Sequence, residues 1–491
     1  MREALKHYID GKWVDPVSLA ATDVINPATE KPVGRVALGG GKDVHLAARA
    51  ARRAFASYGR FTRQERIDLL EAIIGEYKKR RTDVAEAITS EMGAPAELAQ
   101  QLHAAIGHVH LKIALNVLKD FEFSRQRGDT RVEFEPIGVC GLITPWNWPI
   151  NQIAAKVAPA IATGCTMILK PSELSPFSAQ IWAEVMHAAG VPAGVFNLVQ
   201  GDGPGVGAPI AAHPDVDMVS FTGSTRAGIA VACAAAPSVK RVHQELGGKS
   251  ANILLPDAEI GEAAAAGFRA LVANAGQSCN APTRMLVPNT RREEAVKALA
   301  DVAAALSVGD PLNSPDVGPV ASRNQFDKIQ TLIALGVEEG ATVIAGGPGR
   351  PEGLDTGFYV RPTVFADVTN EMTIAREEIF GPVLCVIGYD NIDEAVAIAN
   401  DSIYGLAAYI QGEDEALIAD VASRLRVGQV LVNQPHPDGM APFGGYKQSG
   451  NGREWGDFGF ESFLEVKAVL GTKSAAHPII SEDSEQVRGH V

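Results

Sequence analysis

The sequence predicts an α/β protein built on parallel sheets and divided into more than one domain. Three observations lead there. A chain of 491 residues holds roughly three units of ~150 residues, each large enough for its own core. The stretch GVCGLITPWNWPINQIAAKVAPAIATGCTMILKPSE reads as two short apolar strands, Val139 to Thr144 and Thr166 to Lys170, joined by a helix. Such a unit implies parallel strands, with ligand sites at their carboxyl ends. A second unit, GVFNLVQGDGPGVGAPIAAHPDVDMVSFTGSTRAG, closes on a strand and a turn, Gly223 to Gly228, that opens a helix.

Composition narrows the function. The formal charge is -14 and the pI about 5.3. The one basic run, Lys78 to Arg81, reads as a solvated helix end, so no nucleic-acid partner is expected. Five cysteines without CxxC or Cys/His spacing support neither a disulfide framework nor a zinc site, and they point to a reducing compartment. His103, His108 and His110 share a helical region without an acidic residue in register, so no metal is expected. The start, MREALKHYIDGKW, lacks the apolar stretch of a signal peptide, and no run approaches ~18 uninterrupted apolar residues. A soluble, cytoplasmic protein is expected, with no membrane partner.

Taken in order, YIDGKWVD is a hairpin turning at Asp10-Gly11, and NPATEKPVGRV a second pair of short strands. From Lys42 to about Lys119, apolar residues recur at three- and four-residue spacing, as in RIDLLEAIIGEYKKR, and predict helices. FEFSRQRGDTRVEF, Phe121 to Phe134, alternates about Gly128-Asp129 and predicts a protruding hairpin. An isolated hairpin is marginal in water, so it should find a partner sheet. VNQPHPDGMAPFGGYKQSGNGREWG is rich in Gly and Pro and reads as a functional loop. A strand over Ser462 to Val469 and the polar tail TKSAAHPIISEDSEQVRGHV end the chain.

The chemistry centres on NAGQSCNAPTR, Asn274 to Arg284. It sets Cys279 among small polar residues, where a core thiol is out of place. A lone cysteine is more often a small core residue, and a thiol titrating near ~8.5 needs a base or a positive field to act as a nucleophile. HQELGGKS offers the base: Glu245 follows a strand and precedes Gly247 and Gly248, which leaves its carboxylate at the end of an element and open to a cleft. ELGGKS and GQSC, with INPATE, TPWNWP, KPSE, FTGS, EEIFGP, PFGGYKQSG and GRE in the same order, resemble the NAD(P)-dependent aldehyde dehydrogenase superfamily over essentially the whole chain.

The resemblance implies an aldehyde dehydrogenase-like fold. Its parts are a Rossmann-type cofactor domain (1–118 and 137–248), an α/β catalytic domain (249–449), and a small β oligomerisation element with the C-terminal tail (119–136 and 450–491). The hairpin and the late strand would leave the body to pair with another subunit, giving a dimer or tetramer. The implied reaction is oxidation of an aldehyde to the acid. Cys279 attacks, Asn147 and the Cys279 backbone N–H hold the oxyanion, and Glu245 activates water to hydrolyse the thioester. Lys170 is counted with this catalytic set and also with the cofactor site.

For the cofactor the resemblance implies Thr144, Pro145, Trp146, Leu246 and Gly247 along its path, with Lys170, Ser172 and Glu173 at the adenosine ribose. Phe221 and Gly223 follow the path, Ser224 meets the pyrophosphate, and Glu378 and Phe380 hold the nicotinamide end. Gly223 to Gly228 lacks both the GxGxxG fingerprint and the P-loop lysine, so its role rests on the resemblance. Glu173 favours NAD, with NADP possible. Lys156 and Glu454 match a proton relay, although each taken alone is a plain surface charge. Trp148, Asn151, Ala155, Met440 and Phe443 would line the substrate entrance. Two alternatives stand beside this reading: a CoA-acylating relative, which typically lacks the ELGG glutamate, and a non-catalytic structural relative, which would have lost the nucleophile or base.

Overall fold

The computed structural model describes residues 2–472; the expected tail from 473 onward lies outside the described residues. In chain order the strands are β1 (Arg2–Ala4), β2 (His7–Ile9), β3 (Lys12–Val14), β4 (Ala21–Asn26), β5 (Lys31–Ala37), β6 (Ser124–Arg127), β7 (Thr130–Pro136), β8 (Val139–Ile143), β9 (Thr166–Lys170) and β10 (Phe196–Leu198). They continue with β11 (Met218–Thr222), β12 (Arg241–Glu245), β13 (Ala251–Leu254), β14 (Arg284–Pro288), β15 (Thr342–Ala345), β16 (Thr363–Ala366), β17 (Val383–Tyr389), β18 (Ala407–Gln411), β19 (Gln429–Val432) and β20 (Leu464–Leu470).

Two seven-stranded sheets carry the fold, ordered β12-β11-β8-β9-β10-β2-β3 and β15-β16-β17-β14-β13-β18-β19. Strands β8 to β12 run parallel, as the strand–helix–strand pattern predicts. The opening hairpin β2–β3 turns through Asp10 and Gly11, both with positive φ (54° and 74°), and its strand β2 adds antiparallel to β10. The chain changes sheets between Glu245 and Ala251.

Local chemistry sets the helices. Thr62 caps the helix Arg63–Met92 by accepting from Glu65 N, with the Glu65 side chain reaching back, and left-handed Gly93 (φ 81°) stops it. The helix Pro149–Thr163 begins on proline, ends on left-handed Gly164, and is buried on nearly every side. An apolar surface all round marks a helix for the interior. Among the described residues, no helix is long and apolar enough to cross a membrane.

The hairpin β6–β7 forms as expected, but its third strand comes from its own chain. β20 pairs antiparallel with β7 from Leu464 opposite Pro136 to Leu470 opposite Thr130, giving a sheet ordered β20-β7-β6. Hairpin and late strand satisfy one another along one side each, and among the described residues the outer edges of β6 and β20 are left.

Candidate active site

The cysteine loop is shaped by its backbone. Asn274 and Ala275 adopt left-handed conformations (φ 53° and 55°), sparsely populated states that a surrounding structure must hold in place. Gly276 (φ 73°) passes so close to its neighbour that a Cβ would stand 2.1 Å from Gly381 O. Side chains lock the turn. Gln277 Nε2 donates to Asn274 O (3.0 Å) and its Oε1 accepts from Ala321 N (2.8 Å), while Tyr409 donates from its hydroxyl to Asn280 O (3.0 Å). Fully buried Arg284 anchors the end of the run on Lys249 O, Asn370 Oδ1, Ile398 O and Ala399 O. Gly248 completes the fit, since a Cβ there would lie 2.3 Å from Cys279 O.

Cys279 is thereby delivered, partly exposed, to a cavity shared with Asn147, Gly223, Leu246, Glu378 and Phe380. Asn147 is buried and donates from Nδ2 to Gln277 O (3.0 Å), while its own carbonyl accepts from Asn274 Nδ2 (2.9 Å). Its amide is therefore fixed to the loop that carries the thiol. Burial, then the negative charges of Glu378 and Glu245, raise the Cys279 pKa well above the usual thiol range. The positive field that would activate a resting thiol is absent from those influences.

Glu245 ends β12 as expected but is not open to a cleft: it is only 1% exposed. The glycine-rich late stretch crosses over it. Gly450 bridges to Glu245, a Cβ on Gly444 would stand 2.6 Å from Glu245 Oε1, and Oε2 has no hydrogen-bond partner among the described residues. Burial, then the nearby Glu454 carboxylate, raise the Glu245 pKa well above the ordinary range. Lys156 and Glu454 are likewise not surface charges. They form a direct ion pair, with side chains 0% and 5% exposed, beside the base. Glu454 is lowered because Lys156 and His243 outweigh its burial.

The cofactor residues divide between the cavity and a neighbouring patch. Ser224 caps the helix Thr225–Ala235, its Oγ accepting from Ala227 N, and a Cβ on Gly223 would meet the Phe221 ring at 2.6 Å. Pro145 and Trp146 line the cavity, and Trp146 meets Phe380 edge-on at 5.5 Å. Glu378 accepts from Gly248 N at 3.0 Å, and a Cβ on Gly247 would stand 2.5 Å from its Oε2. Lys170 is placed differently from the catalytic role expected of it. It does not line the cavity of Cys279; its ammonium donates to Pro171 O (2.7 Å) and pairs with Glu173 at 3.6 Å. It is the last residue of β9, and Ser172 and Glu173 follow in the connection to the next helix. Thr144, just past β8, keeps a buried hydroxyl without a hydrogen-bond partner among the described residues.

At the expected entrance, Trp148 donates from Nε1 to Ser278 Oγ (2.7 Å) and stacks on His103 at 4.0 Å. Asn151 Oδ1 meets His110 Nε2 at 2.7 Å, so both histidines are engaged with wall residues. Ala155 is buried, Phe443 is buried, and Met440 is 46% exposed, which sets Met440 outermost. Several residues escaped the sequence reading. Thr222, Gln152, Gln325 and Lys328 line the cavity, with Lys328 donating to Glu378 O (2.7 Å). Trp455, in a left-handed conformation (φ 69°), stacks on Phe443 at 4.7 Å. A large aromatic inside a glycine-rich loop was the available signal for it.

The cavity fits a dinucleotide: a capped helix start, glycines where side chains would obstruct, and in its wall a Thr222 hydroxyl without a hydrogen-bond partner among the described residues. The sequence profile described as the aldehyde dehydrogenase family matches residues 13–469. The chain belongs to the aldehyde dehydrogenase family. It is 55% identical over 473 residues to a 3-succinoylsemialdehyde-pyridine dehydrogenase from a Pseudomonas species, covering 96% of this chain and 99% of that one. Among solved structures it resembles a variant of aldehyde dehydrogenase C from Pseudomonas syringae, bound to NAD+ and octanal (TM-score 0.95, 53% identity, 96% and 98% of the chains covered). An aldehyde dehydrogenase from Bartonella henselae matches with a TM-score of 0.94 at 45% identity, over 96% and 100% of the chains. As an aldehyde dehydrogenase, the enzyme oxidises an aldehyde to the carboxylic acid with NAD as the oxidant.

Proposed function

We propose that Cys279 is the nucleophile, Glu245 the general base and Asn147 the oxyanion donor of a hydrolytic aldehyde dehydrogenase. The observation that carries this is the shared fixing of Asn147 and Cys279: one hydrogen-bonded loop sets the amide and the thiol at the same cavity. Glu245 takes the thiol proton and releases it to solvent as Cys279 Sγ adds to the carbonyl carbon, and the oxygen that gains charge is met by the Asn147 amide and the Cys279 N–H. Bound NAD would supply the hydride acceptor, which leaves the acyl group on Cys279 as a thioester. Glu245 then takes a proton from water, which attacks the thioester and frees the acid, returning the thiol. Lys156 and Glu454 link that carboxylate to further proton carriers. Lys170, Ser172 and Glu173 hold the adenosine ribose, Ser224 the pyrophosphate, and Glu378 the nicotinamide ribose.

Retention of Glu245 favours water over coenzyme A as the acyl acceptor. NADH formation measured with and without coenzyme A, with assay of free acid, decides between them; acyl-CoA as the main product would overturn the hydrolytic reading. The substrate carries an apolar or aromatic body, because Trp148, Ala155, Phe443 and Trp455 stand at the expected entrance, and because relatives 55% and 53% identical to this chain are named for a pyridine semialdehyde and bound to octanal. A panel of aliphatic, aromatic and anionic aldehydes assayed for NADH production tests this.

The first sheet with its helices (1–118 and 137–248) acts as the cofactor domain and 249–449 as the catalytic domain. The enzyme works as a dimer or tetramer: the outer edges of β6 and β20 offer unpaired backbone to a second copy, with Val466 and Leu470 65% and 77% exposed. Light scattering returning a single 51.8 kDa subunit at micromolar concentration would contradict this. Five free thiols suit the cytoplasm.

A further inference from the structure

Strand β12 places Arg241, His243 and Glu245 on one face, because side chains alternate along a strand. His243 and Glu245 are thus side by side, with Nε2 3.4 Å from Glu245 Oε1 and both side chains nearly dry. The imidazole is held there by a missing side chain: a Cβ on Gly452 would stand 2.2 Å from its Cδ2 and 2.3 Å from its Nε2. We propose that His243 is a positioning residue for the general base, donating from Nε2–H to the Glu245 carboxylate and so fixing its orientation and favouring its ionised form. This rests on the reading of Glu245 as the base of deacylation.

The surrounding charges leave this task to His243. Glu454 repels the Glu245 carboxylate, and Lys156, which attracts it, is already committed to Glu454. Arg453 also faces the pair, but its guanidinium donates to Gly445 O. His110 also lies near Glu454 and is bonded to Asn151. Arg241 lies further along the strand, where it donates to Ser462 O and Leu464 O. Of all these groups, the His243 ring is the one hydrogen-bonded to Glu245. Burial lowers the His243 pKa to about 4 against the pull of Glu454, so at neutral pH the ring is uncharged. An uncharged imidazole facing a carboxylate carries its proton on the facing nitrogen. A 3.4 Å contact is long, as catalytic hydrogen bonds often are before substrate is bound.

A hydrogen bond to the charged form lowers a carboxyl pKa, so its loss must move the acid limb of deacylation upward. The test is a pH series on the pure enzyme, following the pre-steady-state burst of NADH and the steady-state rate that succeeds it. His243→Leu should shift the acid limb of the steady state up by about one pH unit, a roughly tenfold loss below the limb, with burst and KM for NAD unchanged. His243→Gln, whose Nε2 reaches the same point, should restore the limb. His243→Asn, polar but too short, should behave as Leu does and serves if the Leu variant misfolds. An unmoved limb in Leu or Asn, or an equal shift in Gln, overturns the proposal. Glu245→Gln run alongside separates the two readings: if it deacylates normally the base assignment itself falls, whereas a defective Glu245→Gln with a wild-type profile in His243→Leu removes only the role of His243.

Discussion

Glu245 lies near enough to Cys279 for its charge to raise the thiol pKa, but the two are held in place by opposite means. Glu245 ends a regular strand and has almost no water, so its environment is made of charges: Glu454, Lys156 and Arg453 on segments far away in the sequence. Cys279 sits on an irregular loop, and what fixes it is backbone geometry: two left-handed residues, an obligatory Gly276, and hydrogen bonds from Gln277, Tyr409 and Arg284. The base is thus tuned electrostatically and the nucleophile sterically. Substitutions around the first should change a pH profile, whereas those around the second should change how much active enzyme there is.

The largest break comes from Cys279→Ala, which removes the atom that forms the covalent bond. Aldehyde oxidation should vanish while NAD binding, followed by quenching of intrinsic fluorescence, stays near wild type. Residual turnover would refute the assignment. Glu245→Gln should keep a burst of NADH but lower the following steady state by about 10²–10⁴, the usual span for a general base; equal loss of both phases would make thiol activation the main role. With the native carboxylate, steady-state turnover should rise with pH as Glu245 ionises, and that rise should begin above the normal carboxylate range because burial and Glu454 raise its pKa. Asn147→Ala should lower kcat by about 10²–10³, the scale of one oxyanion donor, without shifting that profile; a shift would link the amide to the base after all. The smallest effect belongs to Glu173→Gln. A 2′-phosphate would bring about two negative charges near this carboxylate, and screening by solvent and Lys170 limits the discrimination to roughly one or two orders of magnitude in kcat/KM. A ratio for NAD over NADP near one, unchanged by the substitution, would show that Glu173 does not set the preference.

The same contrast explains what could be read in advance. Short-range features were legible: the Asp10-Gly11 turn, the limits of β9, the helix start at Ser224, and Cys279 in its polar run. The burial of Lys156 was legible too and was missed, since a lone charge in the apolar helix Pro149–Thr163 must go inside with it. Glu245 looked open because nothing near it in sequence announces Gly444 and Gly450, which arrive some 200 residues later to cover it. The pairing of β20 with β7 is equally silent, because a strand's alternation names a face and not a partner. Gln325 and Lys328 face the cavity from the helix Arg323–Glu338, where their spacing marks only a polar side.

The pairing of Lys156 with Glu454 spans 298 residues, which has a consequence for the protein as it is made. At about 5–20 residues per second, the ribosome releases Lys156 some 15–60 seconds before its counter-ion. An ammonium cannot be sealed in a dry interior alone without a cost of several kcal/mol. The helix Pro149–Thr163 must therefore wait, hydrated, while the whole second sheet is translated, and its packing locks only when Glu454 emerges.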